Sequence, residues 1–302
     1  MREKFRSQGF EINTKDINNA RSADFDVHLD LQIQHHAKKC YLLLLETPQI
    51  FPPNGRLEFF NRYQKIFTWN DDLVDGKRFI KINYPNTIQV HSLDGYTSRR
   101  RFCCLIAGNK TLSTNDSRNL YPERVKVIRW FEQNAPHDFD LFGVGWGSPV
   151  LQSGVIGKIQ RRAFGLIGRW ISSSPFPSYR GRIELKAQVM TRTRFAICYE
   201  NVRDIPGYIT EKIFDCFFSG CVPVYWGANN IADHIPADCF IDRRNFCDTA
   251  EVYSFLKAIT EQEFIGYQKR IANFLRSDAA YPFSSECFAE TIVSAVVEDI
   301  GI

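Results

Sequence analysis

The sequence predicts an α/β protein with doubly wound, parallel-sheet architecture twice over, and three observations carry that reading. Phe195-Ala-Ile-Cys-Tyr-Glu-Asn201, Gly207-Tyr-Ile-Thr-Glu-Lys212 and Val222-Pro-Val-Tyr-Trp-Gly227 run as strand, polar loop, helix and returning strand, one parallel βαβ unit. Residues 102–143 repeat that order. The last third of the chain then reads as helices over 251–259, 261–275 and 284–300, so strand–helix alternation ends in a helical cover.

Taken in order, the chain opens on a helix-like stretch, residues 2–8. Strands follow over 25–31, 40–45, 65–69 and 79–83, with a helix or turn over 55–63. Asp94-Gly-Tyr-Thr-Ser-Arg-Arg-Arg101 is basic and turn-prone, which places the interdomain linker there. The expected division is 1–98, 99–283 and a terminal helix, 284–302, packing back on the first domain.

The second βαβ unit starts at 102–107 and passes through a polar loop, 108–119. Pro122 suits the first turn of a helix. Val125, Ile128 and Phe131 mark that helix's buried face, and 139–143 is the returning strand. Arg124 puts a cation in the opening turn. Between 148 and 179 the residues Lys158, Arg161, Arg162 and Arg169 alternate with apolar ones. Such a segment, 155–170, reads first as a helix packing on its own domain and otherwise as one lying on an anionic membrane surface.

In the unit from 195 to 227, Ile213, Phe214, Phe217 and Phe218 fall on one face of a 3.6-residue period. Thr210 can cap that helix and Gly220 can end it. Lys212 lies in its first turn, where the helix dipole disfavours a cation by about 0.3–1 kcal/mol. An anion bound there would remove the conflict, because backbone N–H groups and the ammonium would converge on it. Glu211 beside it suits the dipole already.

With 302 residues the chain is long enough for two domains, and 44% hydrophobic, 24% charged and 14% aromatic residues are those of a globular protein with substantial cores. A net charge of +4 fits an anionic small ligand and falls far short of a nucleic-acid footprint. No apolar run reaches the ~18 residues of a membrane span, and the N-terminus lacks a signal peptide's apolar core. The 9 cysteines include no Cys-x-x-Cys, and Cys40, Cys103, Cys104, Cys198, Cys221 and Cys239 sit in or beside apolar runs. They read as reduced core thiols of a cytoplasmic protein. His35-His36 has no partner at ligand spacing, so no metal site is expected.

Candidate chemistry gathers where strands end. Glu46 closes the apolar run 41–45, and a carboxylate there could act as a general base with its pKa raised by apolar neighbours. The alternative is a solvated loop carboxylate, which the residues alone favour. Glu200 and Asn201 could meet sugar hydroxyls or cap a turn. Tyr208 could contact a ligand or pack on the helix. Glu211 could accept from hydroxyls or be an ordinary first-turn acid. Lys186 could reach a phosphate or face solvent. No Gly-rich phosphate fingerprint is present.

Residues 195–246 carry Tyr-Glu-Asn201, Gly-Tyr-Ile-Thr-Glu-Lys212, Val-Pro-Val-Tyr-Trp-Gly227 and Cys-Phe-Ile-Asp242. This stretch resembles the donor-binding motif of the α-1,3/4-fucosyltransferases, glycosyltransferase family 10. Leu120-Tyr-Pro-Glu-Arg-Val125, Phe-Asp-Leu-Phe-Gly143, Tyr179-Arg-Gly181 with Lys186, and Glu46-Thr-Pro48 extend the resemblance. It implies a GT-B fold, two Rossmann-like domains facing across a cleft, with acceptor sugar on the N-terminal domain and GDP-fucose on the C-terminal one. It implies Arg124 and Lys212 as pyrophosphate ligands, Asn201, Tyr208 and Glu211 as contacts to ribose and fucose, and Glu46 as the base. Glu200 and Lys186 belong to the same expected donor set. The reaction implied is an inverting transfer to a glycan or lipopolysaccharide acceptor without an obligatory metal. A GT-B transferase using another nucleotide sugar, or a sugar-nucleotide-binding protein without turnover, are the alternatives. The resemblance is to soluble bacterial-type members, so the sequons at Asn109 and Asn115 read as chance, and peripheral membrane contact would fall to 155–170.

Overall fold

The computed structural model describes residues 1–14, 16–17, 23–32, 37–91, 95–112, 115–148 and 175–301. The basic segment 155–170 lies outside them. The described chain divides into two units, one of Met1–Ile88, Ile205–Glu211 and Ser277–Ile302, the other of Gln89–Asp204 and Lys212–Arg276. Against the division at 98 read from the linker composition, the first stretch stops at Ile88, and seven-residue Ile205–Glu211 joins it from the middle of the later sequence.

The first unit opens with α1 (Arg2–Ser7) and holds four parallel strands in sequential order: β1 (Phe25–Leu29), β2 (Lys39–Leu44), β3 (Lys65–Thr68) and β4 (Phe79–Lys81). β2 is apolar on both faces, the mark of a strand covered on both sides. Its alternate residues serve two separate cores. Tyr41 and Leu43 pack with Phe5 of α1 and with Ile292, Val293 and Val296 of the terminal helix, Ser285–Ile300. Cys40, Leu42 and Leu44 pack on the other face with Phe60, Tyr63 and Ile66. The stretch expected as helix or turn over 55–63 forms short 3₁₀ turns, Pro52–Gly55 and Leu57–Arg62.

The second unit contains β5 (Arg101–Ile106), α2 (Tyr121–Asn134), β6 (Phe139–Phe142), α3 (Ala187–Met190), β7 (Thr193–Tyr199), α4 (Glu211–Phe218, whose first residue is grouped with the other unit), β8 (Val222–Trp226) and β9 (Ile241–Asp242). The helices α5 (Thr249–Ala258) and α6 (Glu261–Arg276) follow, and the terminal helix is α7. All five strands are parallel, in the order β6-β5-β7-β8-β9. The α2 face turned inward is Tyr121, Arg124, Val127, Ile128 and Phe131; Val125, expected in that set, is only partly covered. Phe131 stacks on Phe139 with centroids 4.6 Å apart, tying α2 to β6.

At the amino edge of this sheet Arg99 is 1% exposed. Its guanidinium donates to the carbonyls of Met190 (2.9 Å), Thr193 (2.8 Å) and Ser219 (2.7 Å), so a buried charge is met by backbone acceptors at the start of β7 and the end of α4. Gly220 ends α4 with φ +61°, and a Cβ there would lie 2.8 Å from that guanidinium. Among the described residues no helix is long and apolar enough to cross a membrane.

Candidate functional site

In the second sheet the chain leaves β5 for β6 on one side and returns to β7 on the other. The loops after β5 and β7 therefore part company, and the gap between them at the carboxyl ends of the strands is where open α/β sheets bind ligands. Residues 107–112, 115–120 and 200–204 border that gap.

Four of the expected residues meet there. Glu200 follows β7, is fully buried, and its Oε2 lies 2.9 Å from Nζ of Lys212 in the first turn of α4. The Lys212 side chain keeps 24% of its surface exposed. Arg124, 3% exposed, donates from Nη2 to the carbonyl of Tyr199 (2.6 Å) and to Oδ1 of Asn201 (3.1 Å). Its guanidinium also lies 4.8 Å from the Tyr121 ring centre. The Leu120 amide donates to Asn201 O at 3.1 Å. Two cations from two different helix openings thus converge on the end of one strand, linked through adjacent residues 200 and 201. Lys212 is less exposed to the dipole conflict noted above because a buried carboxylate faces it. That arrangement could hold an anionic ligand between the α4 opening and the β7 end.

Lys186 stands apart from this set. Its Nζ pairs with Asp215 at 2.5 Å, one turn further along α4. Tyr208 is 1% exposed and belongs with the first unit, its ring 4.7 Å from that of Trp69 and 6.3 Å from that of Tyr84. The loop that carries it is tightly held. The Asp71 amide donates to Pro206 O at 3.2 Å, and Lys81 donates to Trp69 O at 2.7 Å while pairing with Asp71. Burial pushes the Lys81 pKa down, opposed by Asp71. Gly207, at φ +77°, lies so close to this group that a Cβ would come within 2.8 Å of both the Asp71 carboxylate and the Lys81 ammonium. Glu211, half-buried, opens α4.

Glu46 lies just past β2 in the first unit, and its backbone is fixed on both sides. Asp30, at φ 55°, accepts from the amides of Leu45 and Glu46 (both 3.0 Å) and from the Asn54 side chain (2.8 Å). Asn54 in turn donates to Glu46 O at 2.8 Å. A left-handed aspartate gathering three donors costs conformational energy of about 1–2 kcal/mol, and such strain collects at functional positions. Nothing in the spacing of Asp30, Glu46 and Asn54 announces this knot.

Sequence reasoning also missed an aromatic and arginine group beside the gap. Trp226, which ends β8, has the Arg243 guanidinium 5.3 Å and the Arg203 guanidinium 5.6 Å from its ring centre, with Tyr199 edge-on at 5.4 Å. Burial raises the Tyr199 pKa, while Arg243 lowers it. Arg243 follows Cys-Phe-Ile-Asp242, so the signal was a basic residue directly after a strand end. Among the described residues, no trio of His, Cys, Asp or Glu ligand atoms converges beside Glu200.

The approach of β8 to β7 tolerates no side chain at residue 227. A Cβ on Gly227 would overlap the Tyr225 phenol oxygen and lie 2.5 Å from Glu200 Cγ. Burial first, and the Glu200 charge second, push the Tyr225 pKa up, so its phenol stays neutral beside that carboxylate. Gly227→Ala should lower stability by about 1–3 kcal/mol through overpacking. Urea denaturation would read this as a lower midpoint, and an unchanged midpoint would show that Tyr225 and Glu200 yield freely.

Residues 167–270 match the C-terminal family model of glycosyltransferase family 10 (fucosyltransferase). An alpha-(1,3)-fucosyltransferase of Helicobacter pylori is 31% identical over 75 residues, 25% of this chain and 16% of that protein's length. A solved alpha1,3-fucosyltransferase with GDP shares the fold at TM-score 0.52 and 14% identity, covering 92% of this chain and 79% of that one. A solved alpha-glucosyltransferase in complex with UDP-glucose and DNA containing an abasic site shares it at TM-score 0.56 and 11% identity, covering 93% and 82%. Residues 167–270 are thus similar to family 10, and the two parallel-sheet units share the GT-B fold of these neighbours.

Proposed function

We propose that this chain is an inverting glycosyltransferase that moves L-fucose from GDP-fucose to a hydroxyl of an acceptor glycan, the sugar chains of lipopolysaccharide among the candidates. The observation that carries this reading is the Glu200–Lys212 pair at the opening of α4, inside the segment similar to family 10.

Lys212 and the backbone N–H groups of the first α4 turn supply positive potential for the diphosphate, and Arg124 adds charge from behind the β7 end. Asn201 and Glu211 border the place where ribose and fucose would lie. Glu200 keeps Lys212 oriented. Tyr208, with its ring packed on Trp69, acts by fixing the loop that leads into α4. Lys186 acts on the same helix through Asp215. Trp226, flanked by two guanidinium groups, offers an apolar face for a nucleobase.

Glu46 takes the proton from the acceptor hydroxyl as its oxygen attacks the anomeric carbon of fucose. The carbon–oxygen bond to the β-phosphate breaks on the opposite face, and GDP leaves with its new charge met by Lys212 and the helix opening. These cations occupy the electrostatic role a divalent metal would fill, and the proposal includes no obligatory metal.

A second reading is a GT-B transferase using another nucleotide sugar, since a solved alpha-glucosyltransferase in complex with UDP-glucose shares the fold. One assay separates them: GDP release from GDP-fucose with a panel of N-acetyllactosamine-type acceptors, beside GDP-mannose and UDP-galactose. Acceptor-stimulated release from GDP-fucose alone is the expected result. Turnover only with UDP-galactose would reverse the assignment, and no release from any donor would leave a binding protein without turnover.

A further inference from the structure

We propose that Asp26, His28 and Cys40 form a binding site for a divalent zinc-type cation on the edge of the first sheet, with water as the fourth ligand. The donor atoms of these three residues all lie within 4.8 Å of one another. The placement follows from strand geometry. Asp26 and His28 are two apart on β1 and share a face, and β1 pairs with β2 in a register that sets Cys40 directly opposite Asp26. The group is largely removed from water: the His28 and Asp26 side chains keep 12% and 15% of their surface, and Cys40 is 3% exposed.

Tyr63 stands beside the imidazole nitrogen that faces away from the group. Tyr63 donates its hydroxyl proton to Gln32 O at 3.3 Å, and the same oxygen accepts from the Gln32 amide at 3.4 Å. Nδ1 of His28 lies 3.1 Å from that phenol oxygen, and in the tautomer that donates from Nδ1 to it Nε2 is left as the acceptor. Nε2 then turns its lone pair toward Oδ2 of Asp26, 3.7 Å away. A cation held among the imidazole nitrogen, the carboxylate oxygen and the sulfur would displace the Cys40 thiol proton, which the sulfur otherwise donates to Ala37 O at 3.5 Å. The separation of 3.7 Å is already close to that between ligands of a tetrahedral zinc ion with bonds of about 2.0–2.3 Å. Imidazole and thiolate donors select zinc-type ions over magnesium or calcium. Tyr63 takes the place of the outer partner that fixes the tautomer of a ligating histidine. Asp26 is oriented in the same way, its Oδ2 accepting from the Ala37 amide at 3.1 Å. Uptake of the ion sends the Cys40 thiol proton to solvent. By joining β1 to β2, the ion would hold an edge strand whose outer side has no sheet neighbour among the described residues.

The test uses the full chain, stripped with a chelator and titrated with Zn²⁺ or Co²⁺ alone. One ion per chain, and a thiolate-to-cobalt charge-transfer band, are expected. Cys40→Ser should abolish the band, His28→Gln should abolish stoichiometric uptake, and Tyr63→Phe should weaken it about 10–100-fold. X-ray absorption of the zinc-loaded wild type needs no variant and should show one sulfur among nitrogen and oxygen ligands. Absence of the band overturns the proposal, as does a band that persists in Cys40→Ser. So does a protonated His28 ring by NMR in a chain that takes up no metal, which would make the group a histidine–aspartate ion pair.

Discussion

Glu46→Gln should lower turnover about 10²- to 10⁴-fold, the range for loss of a positioned general base, while GDP affinity stays at the wild-type value. The expectation rests on how little else the substitution changes. Gln has the shape of Glu, and the residue's backbone is fixed independently of its side chain, by Asp30 at the amide and Asn54 at the carbonyl. The apolar strand before it, with Tyr41 and Leu42 fully buried, fixes where the chain emerges. An amide cannot accept the acceptor's proton at neutral pH, so the loss should appear in kcat and leave GDP binding by calorimetry unaltered. Asp30→Asn tests the support separately, because its weakened acceptor should move the Glu46 backbone and change KM and kcat together. A Glu46→Gln rate within a factor of about three of wild type, far short of the loss of a base, would remove Glu46 from this role.

Most elements were legible in the sequence because each is written locally, while the short helix Ala187–Met190 and the two-residue strand Ile241–Asp242 were not. Four-residue and longer apolar runs mark β2, β5, β7 and β8, and Ile213, Phe214 and Phe217 carry the α4 period. The meeting of Arg124, Glu200, Asn201 and Lys212 was legible only in part. Motif resemblance named them, but no spacing foretells that residue 200 neutralises residue 212. That contact needs β7, its loop and α4 all in place. Tyr208 shows the opposite limit. An aromatic in a polar loop reads as a ligand contact or a packing residue, and its ring packs on Trp69, a residue 139 positions earlier that only the folded chain brings near. The grouping of Ile205–Glu211 with the first unit has the same origin, since Pro206 and Gly207 settle on Asp71 and Lys81. Asp26, His28 and Cys40 escaped notice for a related reason. Metal-ligand spacing rules describe turns and helices, whereas this trio depends on the register of two parallel strands.

Lys212→Ala should cost about 3 kcal/mol of stability, the lower end for breaking a buried ion pair, because the Glu200 carboxylate is fully buried while Lys212 is partly open to water. Urea denaturation would read the loss. The same variant should bind GDP roughly tenfold to a hundredfold more weakly, as expected for one charged hydrogen bond, with turnover falling further than acceptor affinity. These two effects have different causes, and a second substitution separates them. Glu200→Gln with Lys212→Met removes both charges at once, and replacing a buried pair by neutral groups of similar volume is often neutral for stability. The double variant should therefore recover most of the midpoint. Its GDP affinity should stay low, since no ammonium remains at the α4 opening to meet the diphosphate. If stability and GDP affinity returned together, Glu200 and Lys212 would be only a packing pair. The diphosphate would then have to be held elsewhere, and the assignment of donor binding to the end of β7 would fall with it.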